Sequence, residues 1–225
     1  MSIAIEHFPI PAPAFNGRSR IVPAGNAFEW LGHGWAVFVV KPWLWIAASL
    51  LLIIAFIALA SVSLIGPMVF CLLSPLLCSG ALRACQKASN SERLEVSDFF
   101  SGFQTNANGL VILGVIFMAC LAGFVVLFEA SLVARLLSVL LLFPLIMAIW
   151  FAPALVFFNN MPPVEALKAS FNACLKNTLP FLVYGLVVMV LLFFAALPVG
   201  LGFLVLIPVL SGSVYVSYRD IFVAN

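Results

Sequence analysis

The sequence predicts an all-α membrane protein: six transmembrane helices as three parallel repeats, each an interfacial amphipathic helix followed by a transmembrane hairpin. Composition predicts the membrane class, because 65% of the 225 residues are hydrophobic and only 8% are charged, whereas soluble domains are about 25% charged. Six apolar runs predict the crossings, since each approaches the roughly 20 residues that a helix needs to span a bilayer. A chain of this composition cannot cover itself with a water-facing surface.

The chain divides into a tail and one membrane domain. Residues 1–23 are polar and contain several prolines, which predicts a flexible cytoplasmic tail. Residues 24–225 predict a single six-helix transmembrane domain. The turn at Leu197–Gly200 is so short that the last two spans could form one re-entrant unit, but their combined length favours two crossings. The expected spans are about 43–64, 67–87, 109–129, 133–158, 179–197 and 199–218.

Each predicted hairpin follows a short segment with the pattern of a helix that lies flat at a membrane surface. In residues 163–177 the apolar side chains recur at helical spacing, and charged or polar side chains, including Lys168, occupy much of the rest. In residues 24–41, tryptophans predict indoles at the level of the lipid headgroups. In the loop at residues 88–108, Ser97 predicts the N-cap of a short helix. We call these three segments the collar.

A fixed spacing relates the three collar segments. An aromatic residue recurs every 68 residues, and a small residue precedes it each time. Self-similarity at a fixed period indicates one structural unit used several times. The predicted repeats are about 24–88, 94–158 and 162–222. The aromatic residues are Trp35, Phe103 and Phe171, and the small residues are Gly34, Gly102 and Ser170.

Proline supports the repeat, because it falls inside the second helix of every predicted hairpin and inside none of the first helices. Proline removes a helical hydrogen bond and predicts a kink. Three kinked helices could enclose a pathway on a common axis, or the kinks could serve only the packing of a small bundle, and we favour packing. The predicted kink residues are Pro75, Pro144, Pro153 and Pro208.

Basic residues predict the orientation, because cytoplasmic loops of membrane proteins are enriched in lysine and arginine. Nine of the ten basic residues fall on the predicted side of the two chain ends, and Arg135 alone falls on the other side. Both termini are therefore expected in the cytoplasm of a bacterial cell, with the six spans in its inner membrane. At the outer turn of the second hairpin, Glu129 and Arg135 are expected to form an ion pair.

Residues that could carry chemistry are few. Cys71, Cys78 and Cys85 share a helix face, which could be a redox or soft-metal stripe but is more typical of small packing residues. His33 could be a ligand, but an exposed interfacial histidine is the favoured interpretation. The sequence contains no catalytic motif, no paired carboxylates and no basic stripe for nucleic acid. We therefore expect no enzyme activity, no catalytic or metal-binding residue, no cofactor and no nucleic-acid partner.

Several stretches resemble a known group of proteins. They are Asn159–Pro162 with the preceding Pro153, Glu165–Pro180, the closing Tyr218–Phe222, and Gly34–Trp35 followed by Pro42 and Trp43. These stretches look like those of uncharacterised six-helix bacterial inner-membrane proteins. That group is similar in layout to the membrane domain fused to some glycerophosphodiester phosphodiesterases. The resemblance implies six spans and an inner-membrane location, and it transfers no catalytic residue.

The sequence predicts a non-enzymatic scaffold or accessory subunit that organises a partner complex or lipids through the collar. Simple membrane anchoring by the collar is the competing interpretation. The alternative function is a small transporter or channel-like protein with a pathway between spans 2, 4 and 6. The expected partners are membrane lipids and another membrane protein or complex. The candidate contact residues are Trp30, Trp35, Phe99, Phe103, Lys168 and Phe171.

Overall fold

The computed structural model describes residues 17–62 and 65–223, which form helices and turns without a β-strand. Most of the predicted tail, including His7, lies outside the described residues, as do residues 63–64. The helices are α1 (Asn26–Val40), α2 (Pro42–Ala60), α3 (Ile65–Ser89), a 3₁₀ helix (Val96–Phe103), α4 (Ala107–Ala130), α5 (Leu132–Trp150), α6 (Ala152–Asn159), α7 (Pro163–Lys176), α8 (Thr178–Ala196), α9 (Phe203–Tyr218) and a closing π-helical turn (Arg219–Val223).

The predicted spans are present within a few residues of their expected bounds. Among the described residues, six helical stretches are long and apolar enough to cross a membrane. Five of these stretches rest on one main helix each, whereas the fourth combines α5 and α6. They are Pro42–Ala60, Ile65–Ser89, Ala107–Ala130, Leu132–Asn159, Thr178–Ala196 and Phe203–Val223.

Proline occupies the second helix of each hairpin in two different ways. Pro75, Pro144 and Pro208 lie inside α3, α5 and α9, as predicted. The Ser74 hydroxyl donates to the Cys71 carbonyl at 2.9 Å, which satisfies an acceptor that Pro75 cannot serve. Pro153, in contrast, does not lie inside a helix: the fourth span is interrupted at Phe151, and Pro153 lies in the first turn of α6. Proline costs no helical hydrogen bond there.

The collar consists of α1, the 3₁₀ helix and α7, and each of them packs mainly on the second helix of a neighbouring hairpin. The 3₁₀ helix lies on α3, which precedes it in the chain, and α7 lies on α5, which also precedes it. The first segment, α1, lies on α9 at the other end of the sequence. The three contacts therefore link each hairpin to the next and join the last hairpin to the start of the chain.

The helices that span the membrane follow one another as an arc of neighbours. Within each hairpin the two helices touch, and α9 contacts α2 and α3, while α3 contacts α4. The arc runs from α8 through α9, α2, α3 and α4 to α5. At the collar end its two terminal helices meet through aromatic rings, since Trp150 lies 6.0 Å from Phe181 and 5.9 Å from Tyr184 between ring centroids. We call the opposite end of the bundle the far end.

Two local predictions require correction. Ser97 is not the N-cap of the 3₁₀ helix. Glu95 occupies that position, and its backbone N–H donates to the Asp98 carboxylate at 2.8 Å in a capping box. At the far end, Arg135 does not pair with Glu129: its Nε donates to the Phe128 carbonyl at 3.0 Å, and its guanidinium lies 4.8 Å from the centre of the Phe128 ring.

Candidate functional site

Small residues let the collar segments approach the bundle closely. A Cβ atom added at Gly34 would overlap the carbonyl oxygen of Val209 on α9, and one added at Gly102 would overlap the carbonyl oxygen of Leu76 on α3. On α7, the buried residues are Ala166, Ser170, Ala173 and Cys174. Because a missing side chain allows backbones to approach closely, these residues bring each collar segment into direct contact with a spanning helix.

Ser170, which the predicted repeat aligns with Gly34 and Gly102, contacts the end of α5 through hydrogen bonds. Its hydroxyl accepts from the Phe151 N–H at 3.0 Å and donates to the Met147 carbonyl at 2.7 Å. These two backbone groups are four residues apart, the spacing of a helical hydrogen bond. They lie where α5 ends and α6 begins, so Ser170 satisfies polar groups that the helix break would leave unpaired.

The predicted contact residues divide into an exposed group and a buried group. Trp35 is 53% exposed. Lys168 and Phe103 are also exposed, and Phe171 is half-buried. In α7 the buried residues are small, whereas the inner side of α1 also contains Trp30, Leu31 and Phe38. Both helices keep other large apolar side chains on the outside, where lipid can cover them.

Trp30 and Phe99 belong to the interior side of the collar. The prediction of Trp30 as an interfacial contact residue is wrong, because it is only 1% exposed. It packs against Phe181 at 5.6 Å and Tyr184 at 6.1 Å between ring centroids. Phe99 is half-buried and meets the edge of Trp45 at 5.0 Å. Residue type alone did not separate Trp30 from Trp35, because an indole suits both the headgroup level and an aromatic core.

Asp220 is the centre of a polar cluster that joins the two ends of the described chain. Its carboxylate accepts from Asn26 Nδ2 at 2.8 Å and from Trp30 Nε1 at 2.9 Å. It also forms an ion pair with Arg20. The Arg20 backbone N–H donates to the Ile221 carbonyl at 2.9 Å. The carboxylate thus ties the segment before α1, α1 itself and the end of the last span together.

Asn177 is a second tie, at the junction of α7 and α8. It is fully buried, and its Oδ1 accepts from the Val22 N–H at 2.9 Å. Its Nδ2 donates to the carbonyls of Arg20, at 3.0 Å, and Ala173, at 2.9 Å. The described part of the predicted tail, residues 17–23, is therefore held against the bundle rather than free.

Sequence reasoning did not single out Asn177 or Asp220 as contact residues. Both residues fall within stretches of the resemblance, Asn177 in Glu165–Pro180 and Asp220 in Tyr218–Phe222. One signal was present: Asp220 is a lone carboxylate within the end of a very apolar helix, where an acid requires partners. The partners themselves, which lie about 200 positions away along the chain, leave no local pattern.

A further ion pair anchors the 3₁₀ helix. Lys87 Nζ, at the end of α3, lies 2.6 Å from the Asp98 carboxylate, and both side chains are mostly buried. Nearby, Lys41 Nζ donates to the Leu94 carbonyl at 3.0 Å. Charged groups at this end thus stabilise the collar, while the exposed aromatic side chains cover its outside.

The groups that could carry chemistry are dispersed. No group of three histidine, cysteine or acidic residues within the described ranges could hold a metal ion. Cys71 and Cys85 are buried in α3, as expected of packing residues, and His33 is exposed. Burial raises the pKa of the Cys174 thiol to about 12, against a smaller lowering by its hydrogen bond with Ser170. A thiol with this pKa stays protonated and is a poor nucleophile.

The fold and the composition define a multi-pass integral membrane protein. A probable inner membrane protein of Burkholderia thailandensis is 40% identical to this chain over 83 residues, which are 37% of this chain and 29% of the relative. No family model matches the chain, and no solved structure matches it. With the six apolar helices, this similarity places the protein in a bacterial inner membrane. The likeness in layout to the phosphodiesterase membrane domain stays a prediction.

Proposed function

We propose that the protein is a non-enzymatic inner-membrane scaffold or accessory subunit, which organises a partner complex or lipids through its collar. One observation carries the proposal: the collar is fixed to the bundle from inside, yet it keeps large apolar side chains on its outer side. On α1, Phe28 is 60% exposed and Trp35 is 53% exposed, and on α7, Leu175 is 56% exposed. A segment that served the fold alone would bury such side chains.

Photo-crosslinking in native membranes tests the proposal. A photoreactive amino acid placed at Trp35, Phe103 or Phe171 should give the same crosslinked protein or lipid species from all three positions. The same label at Phe143, an exposed apolar residue near the middle of the fourth span, is the matched control. If the crosslinks are equally frequent and equally varied at all four positions, the collar has no specific partner and serves only as a membrane anchor.

The repeat is part of this proposal. Supporting it, Gly34, Gly102 and Ser170 are spaced by 68 residues and each contacts the backbone of a second hairpin helix. Three equivalent units would present three equivalent outer surfaces to one partner. If the units are equivalent, Ser170→Gly should fold better than Gly34→Ser or Gly102→Ser, as measured by thermal unfolding in detergent. An equal decrease in unfolding temperature for all three variants would contradict the repeat.

We also propose that the collar lies on the cytoplasmic side, as the distribution of basic residues favours. The collar segments and their flanks carry Lys41, Lys87, Lys168 and Lys176, whereas Arg135 lies at the far end. A single cysteine at residue 131 of a cysteine-free variant should react with a membrane-impermeant thiol reagent in intact spheroplasts, and one at residue 91 should react only after lysis. The reverse result would invert the topology.

The alternative, a transport pathway between spans 2, 4 and 6, meets a packed centre at the collar end. There the side chains of Leu155 and Val156 on α6 are fully buried. The Tyr218 hydroxyl donates to Asn159, and the ring of Phe158 stacks on Tyr218 at 5.7 Å between centroids. Spans 2, 4 and 6 therefore meet in contact at this level, which weighs against a pathway on their axis.

A further inference from the structure

A deep apolar crevice lies between α2, α3, α9 and the 3₁₀ helix. Its volume is about 610 Å³, within the roughly 300–1,000 Å³ typical of small-molecule sites. Its walls are aliphatic and aromatic except for three serines, and the hydroxyls of Ser74 and Ser211 are already donated to carbonyls of their own helices. The crevice therefore offers contact to an apolar chain and little to a polar molecule.

The length of the crevice matches one leaflet of a bilayer. Its lining on α2 runs from Leu44 to Ala55, a distance of about 16 Å at 1.5 Å per residue. Half of a hydrocarbon core of roughly 30 Å is about 15 Å. The crevice begins at the 3₁₀ helix of the collar, so it extends from the membrane surface to about mid-membrane.

A smaller compartment, with three charged side chains in a mostly apolar wall, continues the crevice at the collar. This second cavity, of about 430 Å³, shares Leu44 and Val96 with the first as wall residues. Lys41 and Arg93 line it, with Glu95 as the opposing charge. The Arg93 side chain is 85% exposed and reaches Glu95 only at 3.7 Å. Two cations against one carboxylate at headgroup level favour an anionic group.

Trp45 adds a donor in the wall of the apolar crevice, next in sequence to Leu44, which lines both compartments. It lines the apolar crevice and is only 2% exposed. Its Nε1 is buried without a hydrogen-bond partner among the described residues. A buried indole N–H usually has an acceptor. A lipid ester carbonyl, which lies just below the headgroup, is an acceptor of the right chemistry at this depth.

We propose that this crevice binds one anionic phospholipid of the collar-side leaflet, with an acyl chain between α2 and α3 and the phosphate beside Lys41 and Arg93. The depth, the apolar walls and the cations at the mouth together specify a lipid rather than a second protein chain. The inference goes beyond the scaffold function and does not depend on a collar partner, so either can fail while the other stands.

Native mass spectrometry of the purified full-length chain tests the site. Delipidated protein is titrated with phosphatidylglycerol and, separately, with phosphatidylcholine. We expect one phosphatidylglycerol to stay bound at least about tenfold more tightly than phosphatidylcholine. Equal affinity for the two lipids, or retention of neither, would overturn the proposal. A dimer that forms in place of the lipid adduct would assign the crevice to a second copy.

Two variants locate the binding in the crevice. Ala48→Phe fills the apolar part, and Lys41→Gln with Arg93→Gln removes the cations. Each should weaken phosphatidylglycerol binding by about tenfold or more. The matched controls are Ala119→Phe and Lys176→Gln, at exposed positions away from the crevice. If phosphatidylglycerol binding is unchanged in both test variants, and their unfolding temperatures match those of the controls, the lipid does not bind in this crevice.

A measurement on the unmodified chain covers the case in which a variant does not fold. Phosphatidylglycerol with brominated acyl chains quenches tryptophan fluorescence on contact. Substoichiometric lipid should quench a part of the emission that Trp45→Phe removes. Quenching that is the same with and without Trp45 would place the lipid elsewhere and contradict the proposal.

Discussion

The collar end and the far end of the same helices differ sharply in how they are held. In α2 and α4, every buried residue lies within the first two turns from the collar: Trp45 and Ser49 in α2, and Leu110, Leu113 and Gly114 in α4. In α5, which starts at the far end, only Ser138 is buried. In contrast, all residues from Phe151 to Phe157, at the collar end of the fourth span, are buried.

The difference shows where the specificity of this fold resides. At the far end, close contacts join the two helices of one hairpin, as where Gly66 lies against the Leu59 carbonyl and Gly202 against Ala195. At the collar end, contacts join residues far apart in sequence, such as Val22 with Asn177. Lipid is as apolar as leucine, so close packing and hydrogen bonds, rather than hydrophobic burial, must hold membrane helices together. The collar supplies both.

The largest expected effect comes from Gly34. Gly34→Leu should destabilise the protein by more than about 3 kcal/mol, because its side chain would overlap the backbone of α9. Gly32→Leu, on the same helix but with open space around its Cβ, is the matched control and should cost little. Thermal unfolding in detergent, followed by tryptophan fluorescence, measures both. Comparable losses for the two variants would show that the close approach of α1 and α9 does not matter.

Asn177→Ala should rank next. It leaves the Val22 N–H and the Arg20 carbonyl without their buried partner, and each unsatisfied buried group costs about 1–3 kcal/mol. The exposed Asn172→Ala on α7 is the control, and it should stay within about 0.5 kcal/mol. Hydrogen exchange at residues 20–22 should rise in Asn177→Ala. Protection that persists there would mean that other contacts hold this segment.

Two buried tryptophans give the third test. Trp30→Phe removes a hydrogen bond to the Asp220 carboxylate and should cost about 1.5–3 kcal/mol. Trp45→Phe removes an indole N–H that has no described protein acceptor, so in lipid-free detergent it should cost clearly less. Unfolding temperatures of the two variants decide the matter. A larger loss of stability for Trp45→Phe than for Trp30→Phe would show that the hydrogen bond from Trp30 to Asp220 contributes little.

The smallest effect compares two buried serines. Ser170→Ala removes a hydroxyl that links α7 to the break between α5 and α6, and we expect a loss of about 1–2 kcal/mol. Ser138→Ala removes a hydroxyl that bonds only to the Arg135 carbonyl of its own helix, so it should be within about 0.5 kcal/mol of the parent. Chemical unfolding measures the pair. Stability losses of similar size for the two variants would contradict the claim that hydrogen bonds at the collar end contribute more to stability than those at the far end.

The sequence by itself determined the membrane class, the six spans and the three collar segments. These features follow from composition and from periodicity along the chain, since a helix of about 20 apolar residues has no other stable location than the bilayer. The small residues Gly34, Gly102 and Ser170 could also be read from the sequence, because their spacing is regular. Their contacts with the second hairpin helices could not.

Only the tertiary structure decided which side of each collar helix faces inward, and which polar residues carry the ties. Trp30 and Trp35 were both expected at headgroup level, yet Trp30 lies inside, where Asp220, at the other end of the chain, accepts a hydrogen bond from its indole N–H. Asn177, Asp220 and the crevice beside Trp45 depend on segments that meet only when the arc of helices forms. Such contacts join distant positions, and a local pattern holds no record of them.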